Sequence, residues 1–371
     1  MIAHNALLVV LCVLWSAASV AASVVDPLNR DALKVSSVGR SVLLSAATAG
    51  PRVVAVGERG TVALSDDGGR TWRQATRVPV SITLTAVRFV NDKQGWAVGH
   101  GGVVLHTEDA GETWSRQLDG ITLAQLAVRD AQANVERLGP GNAEAQRMLR
   151  DAQLLVDDGP DKPFLDLEFD DDQHGIVVGA YNLIYATSDG GKSWQSWMGR
   201  TDNPKALHLY ALRHKGDTIF IAGEQGLLLH SVDAGRSFTR VSTPYQGSWF
   251  SLALQTDGSI VLAGLRGNVY RFGDNGQTWT QLTSPVPVSF VSATFVGGTG
   301  VVLANQAGQL FSATNGENAL RPLPAPPVPA LTGLVSLVDG GWLALTVQGA
   351  IRILLPSPTK DQAPAAVGGA K

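Results

Sequence analysis

The chain has a single cysteine, Cys12, and only 16% of its 371 residues are charged. One cysteine excludes an intramolecular disulfide. The formal charge of −3 provides no general attraction to phosphate backbones or anionic membranes, so we expect no nucleic-acid partner. What is plentiful is glycine, 41 residues, alongside 44% apolar residues. This composition is typical of many short strands joined by tight turns.

The N-terminus resembles a secretory signal. An apolar run, Ala6–Trp15, is too short to cross a bilayer and is followed by the small residues Ser16–Ser23. We therefore expect residues 1–22 to be a signal peptide, with an uncleaved anchor as the alternative. An exported chain that loses its only cysteine fits a bacterial periplasm. We expect a single folded domain over 23–356 and a disordered tail over 357–371.

One eight-residue phrase recurs along the chain, with the pattern S/T-x-D-x-G-x-[S/T]-W. Four copies are nearly complete, although the fourth ends in Phe, and a fifth has lost its leading hydroxyl residue. Their pattern residues are Ser65, Asp67, Gly69 and Trp72; Thr107, Asp109, Gly111 and Trp114; Thr187, Asp189, Gly191 and Trp194; Ser231, Asp233, Gly235 and Phe238; and Asp274, Gly276 and Trp279. This phrase is the Asp-box.

Each box follows an apolar strand that ends in Gly in the first five copies, such as Trp96–Gly99. Seven such strands recur about every forty residues, apart from one gap of twice that length. Four antiparallel strands per period indicate the blade of a propeller. The sequence therefore predicts an all-β, seven-bladed β-propeller. The last unit has no Asp-box, and we expect the segment Ala32–Val35 to supply its missing outer strand.

The long gap holds a helical hairpin at about residues 121–160, between blades two and three. Ile121–Leu138 and Asn142–Val156 are rich in Ala, Leu, Gln, Glu and Arg, and Gly139–Gly141 separates them. The hairpin interrupts a connection between blades, which places it on the same face as the turn between the second and third strands of each blade.

We interpret the Asp-boxes as structural. Their carboxylates and hydroxyls can accept hydrogen bonds from turn N–H groups, and a catalytic residue would not be needed five times. Function is then expected on the opposite face, where loops carry polar and aromatic residues. The candidate partner-binding residues are Glu58, Arg59, His100, Tyr181, Asn182, Trp197, His208, Glu224, Gln225, Trp249 and Arg266.

Enzymatic function is the alternative, because Asp-boxes also occur in glycoside hydrolases. The arginine cluster of a sialidase is not evident, and Trp197 and Trp249 are the only tryptophans left over for stacking on a sugar. A glucanase-like hydrolase and a lectin-like carbohydrate binder stay open. We expect no catalytic residues and no cofactor. We also expect no metal site, since His106 and His230 occupy equivalent positions in the repeat and are therefore repeat features instead of ligands.

The alternation of Gly-Trp-Ala-Val-Gly and Asp-box phrases resembles the photosystem II stability/assembly-factor propellers and their bacterial relatives. The matching positions include Gly99, Asp109, Gly111 and Trp114, and the similarity runs from about Val35 to Leu355. Asp161–Leu165, Asn203–Tyr210 and the helical insertion look like the non-photosynthetic bacterial branch. The resemblance implies a non-enzymatic protein that binds a membrane-protein subunit during assembly. We therefore expect a protein partner, such as an envelope membrane protein or transporter.

Overall fold

The computed structural model describes residues 26–273, 278–296 and 300–354, and shows seven antiparallel sheets arranged as the blades of a propeller. Both the seven blades and the helical hairpin are as predicted from the sequence. The predicted signal peptide, the predicted tail, Cys12, Asp274 and Gly276 lie outside the described residues.

Six sheets have four strands, named A to D from the channel outward, and the seventh has three. The strands of blades one to four are β1 (Leu43–Ala49), β2 (Arg52–Gly57), β3 (Val62–Ser65) and β4 (Arg73–Gln74); β5 (Leu84–Phe89), β6 (Gly95–Gly99), β7 (Val104–Thr107) and β8 (Ser115–Leu118); β9 (Phe164–Phe169), β10 (Gly175–Gly179), β11 (Ile184–Thr187) and β12 (Gln195–Ser196); β13 (Leu209–Lys215), β14 (Thr218–Gly223), β15 (Leu228–Ser231) and β16 (Thr239–Arg240).

The remaining three blades continue the same order. Their strands are β17 (Trp249–Leu254), β18 (Ile260–Gly264), β19 (Val269–Phe272) and β20 (Trp279–Gln281); β21 (Phe290–Val296), β22 (Gly300–Asn305), β23 (Leu310–Thr314) and β24 (Arg321–Pro322); and β25 (Leu331–Ser336), β26 (Trp342–Thr346) and β27 (Gly349–Ile353).

Strand B of each blade is buried on both faces, which explains its continuous apolar sequence. The core divides into seven apolar clusters, one between each pair of neighbouring blades. The blades are therefore held together by side-chain packing between sheets.

The glycine that ends strand B in blades one to five is required by a close approach of two backbones. A Cβ added to Gly99 would lie 2.2 Å from the carbonyl oxygen of Thr83. That carbonyl accepts a hydrogen bond from the N–H of His100, the first residue of the following turn, at 2.9 Å. Each such glycine lets strand B pass the start of strand A and closes the turn that follows.

The described N-terminal segment adds no strand to blade seven. The prediction that Ala32–Val35 supplies the missing outer strand of this blade is therefore wrong. This segment instead follows the outer edge of blade one, where Ala32 N–H donates to the Val78 carbonyl and Val35 N–H donates to Gln74 Oε1. Blade seven packs against blade one through Leu343 and Leu345. Closure therefore depends on burial between sheets.

The helical hairpin consists of α1 (Gly120–Leu138) and α2 (Ala143–Asp158). Both helices begin at a side-chain cap: Asp119 accepts the N–H of Thr122, and Asn142 accepts the N–H of Ala145. A stripe of alanines and leucines on both helices packs on blades two and three. Neither helix in the described part of the chain is long and apolar enough to cross a bilayer.

Candidate partner-binding face

The turns between strands B and C form one face of the ring, and they share an unusual backbone geometry. In four of the first five blades the middle residue of this turn is a non-glycine with positive φ: Arg59 (57°), Tyr181 (53°), Gln225 (52°) and Arg266 (57°). In blade two the position is Gly101, with φ of 63°. The left-handed region disfavours side chains with a Cβ, so these four residues are retained at a conformational cost.

The exposure of the eleven predicted residues divides them into three groups. Six are exposed, three are half-buried and two are buried. The exposed residues are Glu58, Arg59, His100, Tyr181, Gln225 and Arg266; the half-buried residues are Trp197, His208 and Glu224; and the buried residues are Asn182 and Trp249.

Tyr181 has the most elaborate surroundings of the exposed set. The residue is 51% exposed, and the Lys162 ammonium lies 5.2 Å from the centroid of its ring. The His208 ring packs edge-on at 4.6 Å, and His208 Nδ1 accepts the backbone N–H of Tyr181 at 2.9 Å. Because Nδ1 accepts this bond, the imidazole is held as the tautomer without a proton on Nδ1. The Tyr181 ring is thus presented to solvent from a supported position.

An aromatic arc continues from Tyr181 to the beginning of the innermost strands of blades four and five. His208 contacts Tyr210 at 6.1 Å between ring centroids, and Tyr210 contacts Phe250 of blade five at 5.4 Å. Burial raises the pKa of the Tyr210 phenol, and the nearby Glu224 carboxylate raises it further. The phenol therefore stays neutral and available as a hydrogen-bond donor.

Two predicted candidates are corrected by the structure. Trp249 is fully buried in the cluster between blades four and five, because it begins strand β17 instead of lying in the preceding loop. The Asn182 amide is buried and bonds Met198, Thr201 and Asn203. Both residues are structural, and neither presents its side chain on the face.

Trp197 is a third case, since its indole lies between blades three and four, directed away from the predicted face. It packs near Gly235 of the blade-four Asp-box and against Phe238, with the Arg200 guanidinium 4.5 Å above the ring. A sugar cannot stack on a ring covered in this way. The two tryptophans expected to serve a lectin-like function are therefore both occupied within the protein.

A groove of about 820 Å³ separates the helical hairpin from blade three. Its floor includes Tyr181 and Met198, and its helical wall includes Met148 and Leu155. Charges of both signs surround it, and Lys162 pairs with Asp158 at 3.0 Å on the rim. The groove joins the exposed turn residues to the insertion, which makes one continuous candidate surface.

Sequence reasoning missed a charged cluster on the innermost strands of blades two, three and four. Asp166, 6% exposed, accepts the N–H of Leu212 and pairs with Arg88 at 3.2 Å and Arg213 at 2.8 Å. Glu168 adds a second contact to Arg213 at 3.2 Å. The sequence contains a pattern that could have indicated this cluster, because strand A carries charged residues only in these three blades.

The Asp-boxes lie on the opposite face and share one hydrogen-bond pattern in the first four copies. In blade one, Ser65 Oγ accepts the N–H of Gly69 at 2.8 Å, and Asp67 accepts both the N–H and the hydroxyl of Thr71. Equivalent bonds form at Thr107 and Asp109, at Thr187 and Asp189, and at Ser231 and Asp233. These bonds hold the pKa of the Asp233 carboxyl at about 2. Each carboxylate is fully used within its own turn.

The two repeat histidines are packing residues. His106 stacks on Trp96 with ring centroids 4.7 Å apart, and His230 stacks on Phe220 at 4.2 Å. Burial lowers the pKa of both imidazoles. Within the described ranges, no three His, Cys, Asp or Glu residues form a group that could hold a metal ion.

Comparison with known proteins agrees with this architecture. The model of the family described as photosynthesis system II assembly factor YCF48 matches residues 43–148 and 143–281, which are blades one to five with the hairpin. The chain is 36% identical over 77 residues to the photosystem II assembly lipoprotein Ycf48 of Synechococcus sp. (strain CC9902), covering 21% of this chain and 23% of the relative. It is 31% identical over 106 residues to the chloroplastic photosystem II stability/assembly factor HCF136 of Oryza sativa subsp. japonica, covering 28% of this chain and 24% of the relative. The chain thus spans about a quarter of the length of these curated relatives.

Two solved structures share the fold over most of the molecule. A structure titled YCF48 bound to D1 peptide has a TM-score of 0.61 at 16% identity, covering 88% of this chain and 99% of the other. YCF48 from Cyanidioschyzon merolae also has a TM-score of 0.61 at 16% identity, covering 85% of this chain and 96% of the other. With a family model that accounts for five consecutive blades, the chain belongs to the photosynthesis system II assembly factor YCF48 family.

Proposed function

We propose that the protein is a non-enzymatic, protein-binding assembly-factor propeller whose partner contacts the face formed by the B–C turns. The observation that carries this proposal is the set of four exposed residues with positive φ on this face, Arg59, Tyr181, Gln225 and Arg266. Glycine or asparagine would occupy the same backbone conformation at lower cost. Large side chains kept there are best explained by contacts that they make outside the chain.

The partner is a polypeptide of an envelope membrane complex, for example a transporter. Relatives named as assembly factors support a protein partner, and a solved relative is titled as bound to a peptide. The exposed Tyr181 ring and the exposed Arg59 and Arg266 side chains, which lie in equivalent turns of other blades, give this face the aromatic and arginine character of protein-binding hot spots. The 820 Å³ groove beside Tyr181 gives an extended segment a place to lie.

Export to the periplasm is part of the same proposal. It is supported by the apolar segment Ala6–Trp15 and by the lipoprotein named among the relatives. Cell fractionation of the full-length chain tests it: the protein should appear in the periplasmic fraction. Recovery only in the cytosol would contradict export while leaving the binding face intact.

A triple variant tests the face directly. Arg59→Gly, Tyr181→Gly and Arg266→Gly remove three side chains and relieve the left-handed strain, so the fold should persist. Wild-type protein should capture a defined partner from detergent-solubilised envelope, and the purified partner should then bind wild type at least about tenfold more tightly than the variant. The matched control replaces three exposed cations on the Asp-box face, Lys93, Lys192 and Arg236, with alanine. Equal loss of binding in the control, or none in the variant, would refute the assignment of the face.

A further inference from the structure

Blade seven has an open strand edge. Its outermost strand in the described part of the chain is β27, the third strand of the blade, and no described segment pairs with the outer side of this strand. In the other six blades strand D covers the same edge. An open edge offers a row of N–H and C=O groups that can pair with another extended chain. No proline or lysine in β27 prevents such pairing, and its one charged residue, Arg352, is engaged with Asp339 and Gly68.

The edge presents the backbone groups that hold strand D in a complete blade. In blade six the Leu310 carbonyl accepts the N–H of Leu323, the residue that follows strand D, at 2.8 Å. Ala350 has the place of Leu310, because each of them pairs with the penultimate residue of strand B. By the same register Arg352 has the place of Ser312, which pairs with strand D. The Ala350 carbonyl and the Arg352 peptide groups therefore point outward from the sheet.

Apolar residues around this edge are more exposed than their counterparts. The position of Ala350 is buried in the other six blades, whereas Ala350 is half-buried. Ile351 is half-buried as well, although its counterpart Phe311 is 2% exposed. Val302 of blade six lies in the cluster between blades six and seven and is 9% exposed, the highest value at its repeat position. A segment that covered these residues would remove apolar surface from water.

The exposure of Val302 has an identifiable cause. In six blades an apolar residue at the start of strand D packs into the cluster shared with the preceding blade. These anchors are Trp72, Trp114, Trp194, Phe238, Trp279 and Leu320. The turn that carries the anchor also covers the position of Val302, since a Cβ on Gly69 would lie 2.8 Å from Leu343, the equivalent residue of blade seven. Among the described residues, the cluster between blades six and seven has no such anchor.

The complete blades show which sequence fits the edge. In five of them the anchor is followed by two further residues and then by a second apolar residue, as in Trp279-Thr-Gln-Leu282 and Leu320-Arg-Pro-Leu323. Residues 355–371, which follow Leu354 at this edge, contain no aromatic residue and no two large apolar residues three positions apart. The pattern therefore favours a segment of another protein as the occupant.

Arg40 adds a preference for an acidic residue. It is exposed, and it forms no ion pair with another described residue. A Cβ added to Gly349 would lie 2.8 Å from the Cα of Arg40. A chain that pairs with Ala350 in the antiparallel direction of strand D continues past Gly349. A carboxylate directly after the second apolar residue would thus lie near the Arg40 guanidinium and complement its charge.

We propose that the open edge of β27 binds an extended segment of a partner protein, which adds to blade seven as its strand D. The segment has a large apolar residue, two polar residues and a second large apolar residue, followed by Asp or Glu. Its first apolar side chain packs beside Val302, and the N–H of its second apolar residue donates to the Ala350 carbonyl. This contact goes beyond the proposed function, because it uses none of the turn residues assigned to the partner face.

The probe is the peptide N-acetyl-Gly-Trp-Thr-Gln-Leu-Asp-Gly-amide, which carries the blade-five pattern. Titrated into ¹⁵N-labelled full-length protein, it should shift the backbone amide signals of Ala350–Ile353 saturably, with a Kd below about 1 mM. It should also slow the hydrogen exchange of the Arg352 N–H, which gains a partner in the added strand. No saturable shift of these signals at about 5 mM peptide would overturn the proposal.

Two modified peptides separate backbone pairing from apolar contact. N-methylation of the leucine removes the N–H that Ala350 accepts and should weaken binding at least about tenfold. Replacement of the glutamine with proline is the matched control, because blade six has Pro322 at this position of its strand D. The proline peptide should bind within about threefold of the parent peptide. Equal binding of the N-methyl peptide would rule out strand addition.

Exchange of the peptide aspartate for lysine tests the role of Arg40. The affinity of the wild-type protein should fall about threefold or more, and the affinity of Arg40→Ala should be nearly the same for both peptides. If the wild-type protein binds the lysine peptide as tightly as the aspartate peptide, the preference for an acidic segment is wrong.

Two measurements decide the occupant of the edge. Protein that ends at Leu354 should bind the peptide within about threefold of the full chain. A gain of about tenfold or more would show that residues 355–371 cover the edge and would refute a partner segment. Sedimentation at about 100 µM protein should show a monomer, and a dimer that the peptide dissociates would assign the edge to a second copy.

The triple variant of Arg59, Tyr181 and Arg266 keeps this proposal separate from the proposed function. It retains the whole of blade seven and should bind the peptide as tightly as wild type. Loss of peptide binding in this variant would show that the peptide lies on the face of the B–C turns and would contradict the assignment to β27. Failure of the peptide to bind any of the proteins leaves the proposed partner face untouched.

Discussion

Arg352, in the last strand, donates a hydrogen bond of 2.7 Å to the carbonyl oxygen of Gly68 in the Asp-box of blade one. The two residues are at opposite ends of the folded chain. The same guanidinium pairs with Asp339 at 2.6 Å, and the side chain is 16% exposed. Beside the apolar layer of Leu343 and Leu345, this contact ties blade seven to blade one.

Replacement of Arg352 with alanine should lower the free energy of unfolding by about 1.5–3 kcal/mol, since a charged donor is lost across the closure. Urea unfolding followed by tryptophan fluorescence measures it. Arg321→Ala, which removes an exposed pair with Glu317 within blade six, should cost less than about 1 kcal/mol. Equal effects would show that Arg352 is an ordinary surface residue.

Asp166 joins three blades, and its removal should be more severe. Asp166→Ala leaves the Arg88 and Arg213 guanidiniums short of a buried counter-charge and leaves the Leu212 N–H without its acceptor. We expect a loss of about 3 kcal/mol or more in the free energy of unfolding. Glu144→Ala, on an exposed face of α2, is the control and should stay within about 0.5 kcal/mol. A mild effect of Asp166→Ala would mean that Glu168 alone neutralises the two arginines.

The left-handed turns make a prediction about stability that is independent of binding. Arg266→Gly should keep or raise the free energy of unfolding by up to about 1 kcal/mol, because relief of strain outweighs the added freedom of the unfolded chain. Arg266→Val should lower it by about 1–2 kcal/mol, since a β-branched residue is strongly disfavoured at positive φ. Differential scanning calorimetry ranks the three proteins. If glycine were the least stable of them, the strain argument for this face would fail.

The Asp-box carboxylates predict acid sensitivity. Hydrogen bonds from the Ser237 hydroxyl, the Ser231 hydroxyl and the Ser237 N–H hold the pKa of Asp233 at about 2, below its ordinary value of 3.8. A depressed pKa in the folded state contributes stability that is fully present above about pH 4 and is lost as the pH falls through about 2. The stability difference between wild type and Asp233→Asn should therefore be largest near neutral pH and shrink toward pH 2.

Urea midpoints at pH 6, 4 and 2.5 test this convergence. Asp202→Asn, at an exposed position outside any box, should run parallel to wild type over the whole range. A gap between wild type and Asp233→Asn that stays constant with pH would show that the carboxylate charge does not matter and that only its geometry does.

The repeat made most of the fold predictable. A blade has about forty residues and carries its own signals, such as the run that ends at Gly99 and the box from Thr107 to Trp114. Local turn chemistry and strand periodicity act within one blade, so they can be read from a short window of sequence. The hairpin was equally readable, because its composition departs from the repeat.

The candidate face was predictable only in part. The prediction from the antiparallel order of the four strands placed Arg59, Tyr181 and Arg266 in turns on one side of the ring, and these residues are exposed there in the structure. It failed for Trp249, because a shift of one residue at a strand start moves a ring from a loop into the core. The prediction was also wrong for the Trp197 side chain. The position of Trp197 in the repeat shows where its backbone lies, but it does not show which neighbouring blade its indole packs against.

The sequence by itself determined the number of blades, the order of strands and the two faces, since these follow from interactions between residues that are close in the chain. Tertiary structure alone decided how the ring closes and where the Asp166 cluster forms. Both depend on side chains from different blades meeting across an interface. Among the described residues, blades seven and one share no strand. Packing between their sheets and the hydrogen bond from Arg352 to Gly68 join the two ends of the ring.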